Sequence, residues 1–371
     1  MVTAFVPKEV RPGEARVAAT PETVRRLSQS GVSVEVERGA GEGARILDAS
    51  FEAAGAKLAG ADAWPRAELV LKVQAPTEEE AARLREGAVL VSFLLPATSQ
   101  RIVAALRARG VHALAMEQIP RITRAQSMDA LSSQATIAGY KAVVLGAAHL
   151  AKLCPLLMTA AGTIAPARAV IFGAGVAGLQ AIATAKRLGC IVEATDIRRA
   201  AKEQVESLGA RFIDVPGAED METAGGYAKE VGEDFLRRQR EEVAKRVAEA
   251  DLVITTALVP GRPAPKLVSE AMVRSMRPGS VIVDLAVESG GNCELSSPGE
   301  VVVRHGVTVV GTSNLPATVP LHASELYAKN VLNLVKLFVD KEGRMATDFE
   351  DEILAACLVT RDRGQPTAGG A

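Results

Sequence analysis

Aromatic side chains are scarce in this chain, at 3%, and neither charge dominates, with 43 Lys and Arg against 44 Asp and Glu. Without a basic stripe or stacking aromatics, nucleic acid is excluded as a partner. The four cysteines, Cys154, Cys190, Cys293 and Cys357, form no C-x-x-C pair. Their scatter fits reduced, buried thiols better than a disulfide framework or a zinc site. There are also only four histidines, His112, His149, His305 and His322. None has a partner at catalytic or metal spacing, and no H-E-x-x-H occurs, so the histidines read as structural and no metal site is expected. The opening MVTAFVPKEV lacks the basic and long apolar regions of a signal peptide and reads as a first strand, with the cytoplasm as the default location. The longest apolar region, residues 142–165, is interrupted by His149, Lys152 and Pro155. That is too broken for a membrane span, which needs roughly 20 apolar residues. It is expected to form a buried helix, kinked or broken near Pro155.

What the chain does have is a regular alternation of short apolar runs and helical patterns. Runs at 4–6, 32–36, 69–73, 89–93 and 111–115 read as strands of a first unit, with a helix from Pro21 capped by Thr20. Runs at 169–172, 191–195, 211–213, 252–256, 281–285 and 307–310 give the six strands of a complete dinucleotide-binding domain. Strands spaced by helices imply parallel sheets covered on both faces. The fold class expected is α/β, with two doubly wound Rossmann-like domains, mainly parallel sheets, and a cleft between them. The helical stretch after Ser324 returns to the first domain, which makes that domain discontinuous: 1–137 plus 325–371, around an NAD-binding domain at 138–324. The tail 363–371 has no apolar content and reads as disordered. The acidic stretch 214–234 is too long for an ordinary connection, and reads as a mobile loop with Tyr227 as its reaching side chain.

The most specific motif is AVIFGAGVAGLQAIATAKRLGCIVEATD. Gly173, Gly175 and Gly178 follow a strand and open a helix, and Asp196 ends the next strand 23 residues after Gly173. In such a turn the first glycine permits the bend, the second lets the backbone approach a pyrophosphate, and the third lets helix and strand close up. The amides of Val176 and Ala177 stand at the positive end of the helix dipole. Asp196, with Ile197 and Arg198 beside it, would take the adenosine ribose and disfavour a 2′-phosphate, so NAD is expected over NADP. Arg198 and Arg199 argue mildly the other way. Ligands of such sheets sit outside the carboxyl ends of the strands. That rule adds Thr256, Ala257 and Leu258, the stiff loop with Pro260 and Gly261, and the acids and amide Asp284, Glu288 and Asn314. For the acids, capping a helix is as good a reading as touching a ligand.

The stretch RAQSMDALSSQ, residues 124–134, is rich in hydrogen-bonding groups and has no histidine, cysteine or lysine. It reads either as a helix N-terminus with redundant caps or as a site that orients without moving protons. RVAATPETV at Arg16, VLKVQAP around Lys72, VPGRPAP, RAQSMDALSSQATIAGYKAV and GAGVAGLQAIATAKRLG together resemble the alanine dehydrogenase/transhydrogenase family, over essentially the whole chain up to the tail. Within it the chain is most similar to the NAD(H)-binding domain of proton-translocating, Re/Si-specific transhydrogenases. The resemblance implies hydride exchange between NAD(H) here and NADP(H) on a partner subunit. It also implies a membrane subunit that couples transfer to proton movement, a homodimer, and a peripheral place at the inner face of the plasma membrane. Gln126, Arg121, Asp129 and Ser132 match family positions around the nicotinamide and its ribose. Hydride passing between two nicotinamide rings needs orientation and exclusion of water, not a general acid or base. In the family's alanine dehydrogenases, Arg16 and Lys72 match substrate-binding positions, and the catalytic histidine matches Leu95, which cannot exchange a proton. The alternatives are therefore an amino-acid dehydrogenase or an NAD-binding regulatory module, and the roles of Arg16 and Lys72 stay open.

Overall fold

A computed structural model of the chain describes residues 2–198, 200–214, 233–258 and 262–361. The expectations for Arg199, Tyr227 and its loop, Pro260, Gly261 and the tail lie outside the described residues. The chain divides into two compact units, residues 1–134 with 316–371, and residues 135–315.

The first unit opens with β1 (Thr3–Val6), α1 (Pro21–Gln29), β2 (Ser33–Glu37), α2 (Asp48–Ala53), β3 (Lys57–Ala59), β4 (Leu69–Leu71), α3 (Glu78–Arg83), β5 (Val89–Ser92), α4 (Gln100–Ala108) and β6 (His112–Ala115). The sheet order is β3-β2-β1-β4-β5-β6, every pair parallel. A parallel sheet buries both faces, and the side chains alternate accordingly. Ala4 and Val6 enter one core, while Phe5 enters the other with Trp64 and Leu90. Pro21 starts α1, and the Thr20 amide donates to Thr23 Oγ1 at 2.9 Å.

α5 (Ala130–His149) begins in the first unit and continues into the second. It ends before Pro155, where a break was expected, but the expectation of buried helix on to residue 165 is corrected here. Residues after it form an exposed hairpin, β7 (Leu157–Thr159) and β8 (Gly162–Ile164). Ala-Ala-Gly makes the bend, with Gly162 at φ 133°, a conformation that L side chains disfavour. The second sheet follows with β9 (Arg168–Phe172), α6 (Val176–Arg187), β10 (Ile191–Thr195), α7 (Ala201–Ser207), β11 (Arg211–Phe212), α8 (Glu233–Glu249), β12 (Leu252–Thr255), α9 (Glu270–Ser275), β13 (Val281–Asp284), β14 (Val301–Arg304) and β15 (Val307–Val310). Its order is β11-β10-β9-β12-β13-β15-β14. Six strands are parallel, and β14 adds an antiparallel edge that the strand pattern of the sequence does not show. β14 is mostly exposed, so it carries no buried apolar run to announce it.

α10 (Pro320–Val335) and α11 (Glu352–Cys357) return to the first unit. The Tyr327 hydroxyl donates to the Lys72 carbonyl at 2.7 Å, and the Val359 amide donates to the Ala113 carbonyl at 3.0 Å. Among the described residues no helix is long and apolar enough to cross a membrane.

Candidate functional site

In the second unit the strand order reverses between β9 and β12, and the glycine motif lies at that reversal. Gly173 leaves β9 with φ 93°, and a Cβ there would stand 2.5 Å from Thr256 Oγ1. Thr256 closes the loop by donating to the Phe172 carbonyl at 2.9 Å. A Cβ on Gly178 would fall inside the carbonyl oxygen of Gly173. Both glycines are thus required by the protein's own packing. Gly175 is different: its φ is −75°, and a Cβ on it would meet nothing within 4 Å among the described residues. The described residues give no steric reason for a glycine there. Gly175 caps α6 without a side-chain cap, Gly175 and Val176 are exposed, and the helix dipole there favours an anion. That fits a pyrophosphate approaching the backbone closely. Three apolar side chains stand exposed at the carboxyl ends of the same neighbouring strands: Val176, Ile197 and Leu258.

Asp196 has local partners. Its Oδ2 accepts from the Ala174 amide at 2.7 Å, and its Oδ1 accepts from the Arg198 amide at 2.8 Å and Arg198 Nε at 3.1 Å. The acid braces the glycine turn, and the guanidinium of Arg198 offsets its charge. Ala257 is clamped by an asparagine that no sequence motif singles out. Asn292, fully buried, accepts from the Ala257 amide at 3.0 Å and donates to the carbonyls of Ala257 and Pro265, each at 2.9 Å. Gly139, on α5, was also missed; a Cβ there would collide with the Ala177 carbonyl, so α5 packs directly on the start of α6. A glycine inside a helix costs about 1 kcal/mol relative to alanine, and that was the available signal.

Asp284 does not line the crevice. It is fully buried and accepts from Thr255 Oγ1, the amides of Ala286 and Cys293, and Ser296 Oγ, at 2.7–3.0 Å. Its carboxylate holds the β12 and β13 ends together. Glu288 accepts from the Asn314 amide at 3.2 Å, so those two meet each other at the surface.

In the first unit, residues 123–128 form a 3₁₀ turn leading to Asp129. Ala125 and Met128 anchor it in the core. Asn330 and Asn333 of α10 donate to the Ser127 carbonyl at 2.9 and 3.2 Å, and Arg124 pairs with Asp351 and Glu352. Asp129 caps α5, accepting from the Ser132 amide at 2.9 Å and Ser132 Oγ at 2.6 Å. Arg121 and Gln126 are exposed above this pinned turn. The two readings of the run therefore divide among its residues. Asp129 and Ser132 cap the helix, whereas the Gln126 side chain faces outward.

Arg16 and Lys72 are buried, at 4% and 1% exposure. Arg16 grips Glu14 with two hydrogen bonds of 2.8 and 2.6 Å, and Lys72 Nζ lies 3.0 Å from Glu80 and 3.3 Å from Glu9. Burial pushes the Glu14 carboxyl up, but the hydrogen bonds and charge of Arg16, joined by Gln74, outweigh it and hold the group at about 2. Leu95, at the end of β5, is half-exposed with φ 47°, and the carboxylate of Glu117 accepts from the Leu94 and Leu95 amides. Among the described residues no group of three or more histidine, cysteine, aspartate or glutamate side chains could hold a metal.

A family model described as alanine dehydrogenase/PNT matches twice, its N-terminal domain over residues 5–138 and its C-terminal domain over residues 142–367. A curated relative from Rhodospirillum rubrum, the first portion of an NAD(P) transhydrogenase alpha subunit, is 54% identical, with 96% of each chain covered. A solved transhydrogenase from Sinorhizobium meliloti superposes with a TM-score of 0.89 at 46% identity, covering 96% of this chain and 97% of the other. A solved L-alanine dehydrogenase superposes with a TM-score of 0.78 at 31% identity, covering 97% of this chain and 96% of the other.

Proposed function

Because the chain belongs to the alanine dehydrogenase/PNT family, we propose that it is the NAD(H)-binding component of a proton-translocating transhydrogenase. It holds NAD(H) on the glycine turn and passes hydride directly to or from NADP(H) on a partner subunit, while a membrane subunit couples the transfer to proton movement. The chain itself sits at the inner face of the plasma membrane through those partners. The relatives named as transhydrogenase subunits support this reading over the alanine dehydrogenases, which are more distant in identity.

The observation that carries the reading is Gln126, an amide exposed on a rigid turn, together with Leu95 where a proton donor would otherwise stand. An amide can fix the angle between two nicotinamide rings, and leucine can only exclude water. Purified chain should bind NADH yet leave it unoxidised with pyruvate and ammonium, and oxidise it once the NADP-binding component and NADP are added. Brisk oxidation with pyruvate and ammonium alone would make it an amino-acid dehydrogenase. No transfer even with the partner would leave only a nucleotide-binding module. In the reconstituted complex, Gln126→Asn should slow hydride transfer by about tenfold or more while NADH affinity stays within about twofold, since misplacing the ring costs rate rather than binding.

The chain also pairs with a second copy. Every residue of β7 and β8 is exposed, and Leu153, Leu156, Leu157, Met158 and Ile164 put apolar surface there, Met158 at 74% exposure. A patch of this kind marks an association surface. Sedimentation at micromolar concentration should give the dimer mass, and Met158→Asp should shift it toward monomer. A monomer for the unaltered chain would end the pairing.

A further inference from the structure

Arg16 sits at a position where the family resemblance offers a substrate ligand, yet its surroundings leave no room for that role. It is 4% exposed, and the side chain of Glu14, its partner, is 1% exposed. Arg16 Nε and one terminal nitrogen grip both oxygens of Glu14, so its planar fork is already matched to a carboxylate of the chain itself. Gln74 Nε2 donates at 2.8 Å to Glu14 Oε2, the oxygen that the terminal nitrogen of Arg16 also holds, and so helps fix that carboxylate. The other terminal nitrogen of Arg16 donates to Gln134 Oε1 at 2.7 Å, and Gln134 Nε2 donates to the Ala323 carbonyl, at the start of α10, at 3.0 Å.

Gln134 lies on α5 two residues after Ser132, in the stretch capped by Asp129. A guanidinium is rigid and flat, so fixing two of its nitrogens on Glu14 fixes the direction of the third. The line Gln74, Glu14, Arg16, Gln134, Ala323 is a buried strut from the end of β4 to the first turns of α5 and on to α10. We infer that Arg16 is a positioning residue: through Gln134 it sets the rotation of the start of α5, and with it the placement of Asp129, Ser132 and the turn that presents Gln126. This rests on the transfer reading above. It assigns Arg16 to geometry, not to a bound oxo acid.

The test uses the full chain reconstituted with the NADP-binding component, measuring single-turnover hydride transfer, NADH affinity and thermal unfolding. Gln134→Met removes both hydrogen bonds at nearly constant volume. Transfer should fall by about tenfold or more, with NADH affinity within about twofold, because a displacement of the order of 1 Å is enough to slow a positioned reaction. Gln134→Glu keeps an acceptor for Arg16 and should hold transfer within about threefold of the unaltered chain. Should Gln134→Met not fold, Gln134→Asn, which keeps the amide but shortens its reach, is judged by the same criteria. Gln126→Asn runs alongside. If Gln126→Asn slows transfer and Gln134→Met does not, the strut is wrong and the transfer reading stands. If Gln134→Met and Gln134→Glu slow transfer equally, contact with Arg16 is not the cause and the inference falls. If the unaltered complex transfers no hydride, the transfer reading fails and takes the inference with it.

Discussion

Alanine in place of Gly178 is expected to destroy NADH binding and to destabilise the second unit by about 3 kcal/mol or more, the upper range for forcing a methyl into a filled site. The added carbon would overlap the Gly173 carbonyl, and neither backbone can retreat. Gly173 is held in the sheet by its N–H, which donates to the Thr195 carbonyl, and is closed over by Thr256. Alanine at Gly175 should behave in the opposite way. Among the described residues no atom lies within 4 Å of the new carbon, and φ is already negative, so stability should change by no more than about 0.5 kcal/mol. NADH affinity should nevertheless fall by about tenfold or more, because the methyl intrudes where the pyrophosphate meets the helix amides. Calorimetry and NADH titration of the two variants separate fold from site. Undiminished affinity in Gly175→Ala would remove the pyrophosphate from this turn, and an unaltered melting temperature in Gly178→Ala would contradict the packing described.

The second large effect is expected at Lys72. Lys72→Met should cost about 3–5 kcal/mol near pH 8, the range for removing one partner of a buried ion pair. The methionine fills most of the stem's place against Trp64, which lies 5.8 Å from the ammonium. It leaves Glu9 and Glu80 without their shared cation. Burial already raises the Glu9 carboxyl, opposed by the charge of Lys72 and the Val73 amide, with Glu14 and Glu80 pushing it further up. A raised acid costs the folded state stability as pH climbs above its unfolded value of 4.5. Without Lys72 the Glu9 carboxyl rises further, so the penalty should be large at pH 8 and shrink as pH falls toward 4.5. Glu14 works in the other direction. Held at about 2, it contributes stability above 4.5 that is lost as pH falls from there toward 2. Unfolding free energies of the variant and the unaltered chain at pH 8 and pH 5 decide the matter. An equal loss at both would trace the effect to packing and not to charge.

Both units of the α/β architecture were legible because their signals are local. A parallel strand buried on two faces must be a continuous apolar run, and a strand-to-helix turn on a phosphate must use small residues at set intervals. Arg168–Phe172 followed by Gly173, Gly175 and Gly178 satisfies both rules within a dozen residues. β14 and the β7–β8 hairpin escaped for the same physical reason in reverse. They are exposed, so burial imposes no pattern on them, and the apolar residues of the hairpin looked like a continuation of α5.

The sequence by itself determined the fold class, the family and the turn that would carry a dinucleotide, since each depends on backbone sterics and burial periodicity within one short stretch. Only the tertiary structure decided how the charged and polar groups are used. Asp196 faces Ala174 and Arg198, Asp284 joins two strand ends, Asn292 clamps Ala257, and Arg16 reaches Gln134 across 118 residues of chain. A buried charge must find its counter-charge and hydrogen bonds wherever the folded chain brings them. The identity of a residue states that need, and the long-range contacts of the fold determine which group meets it.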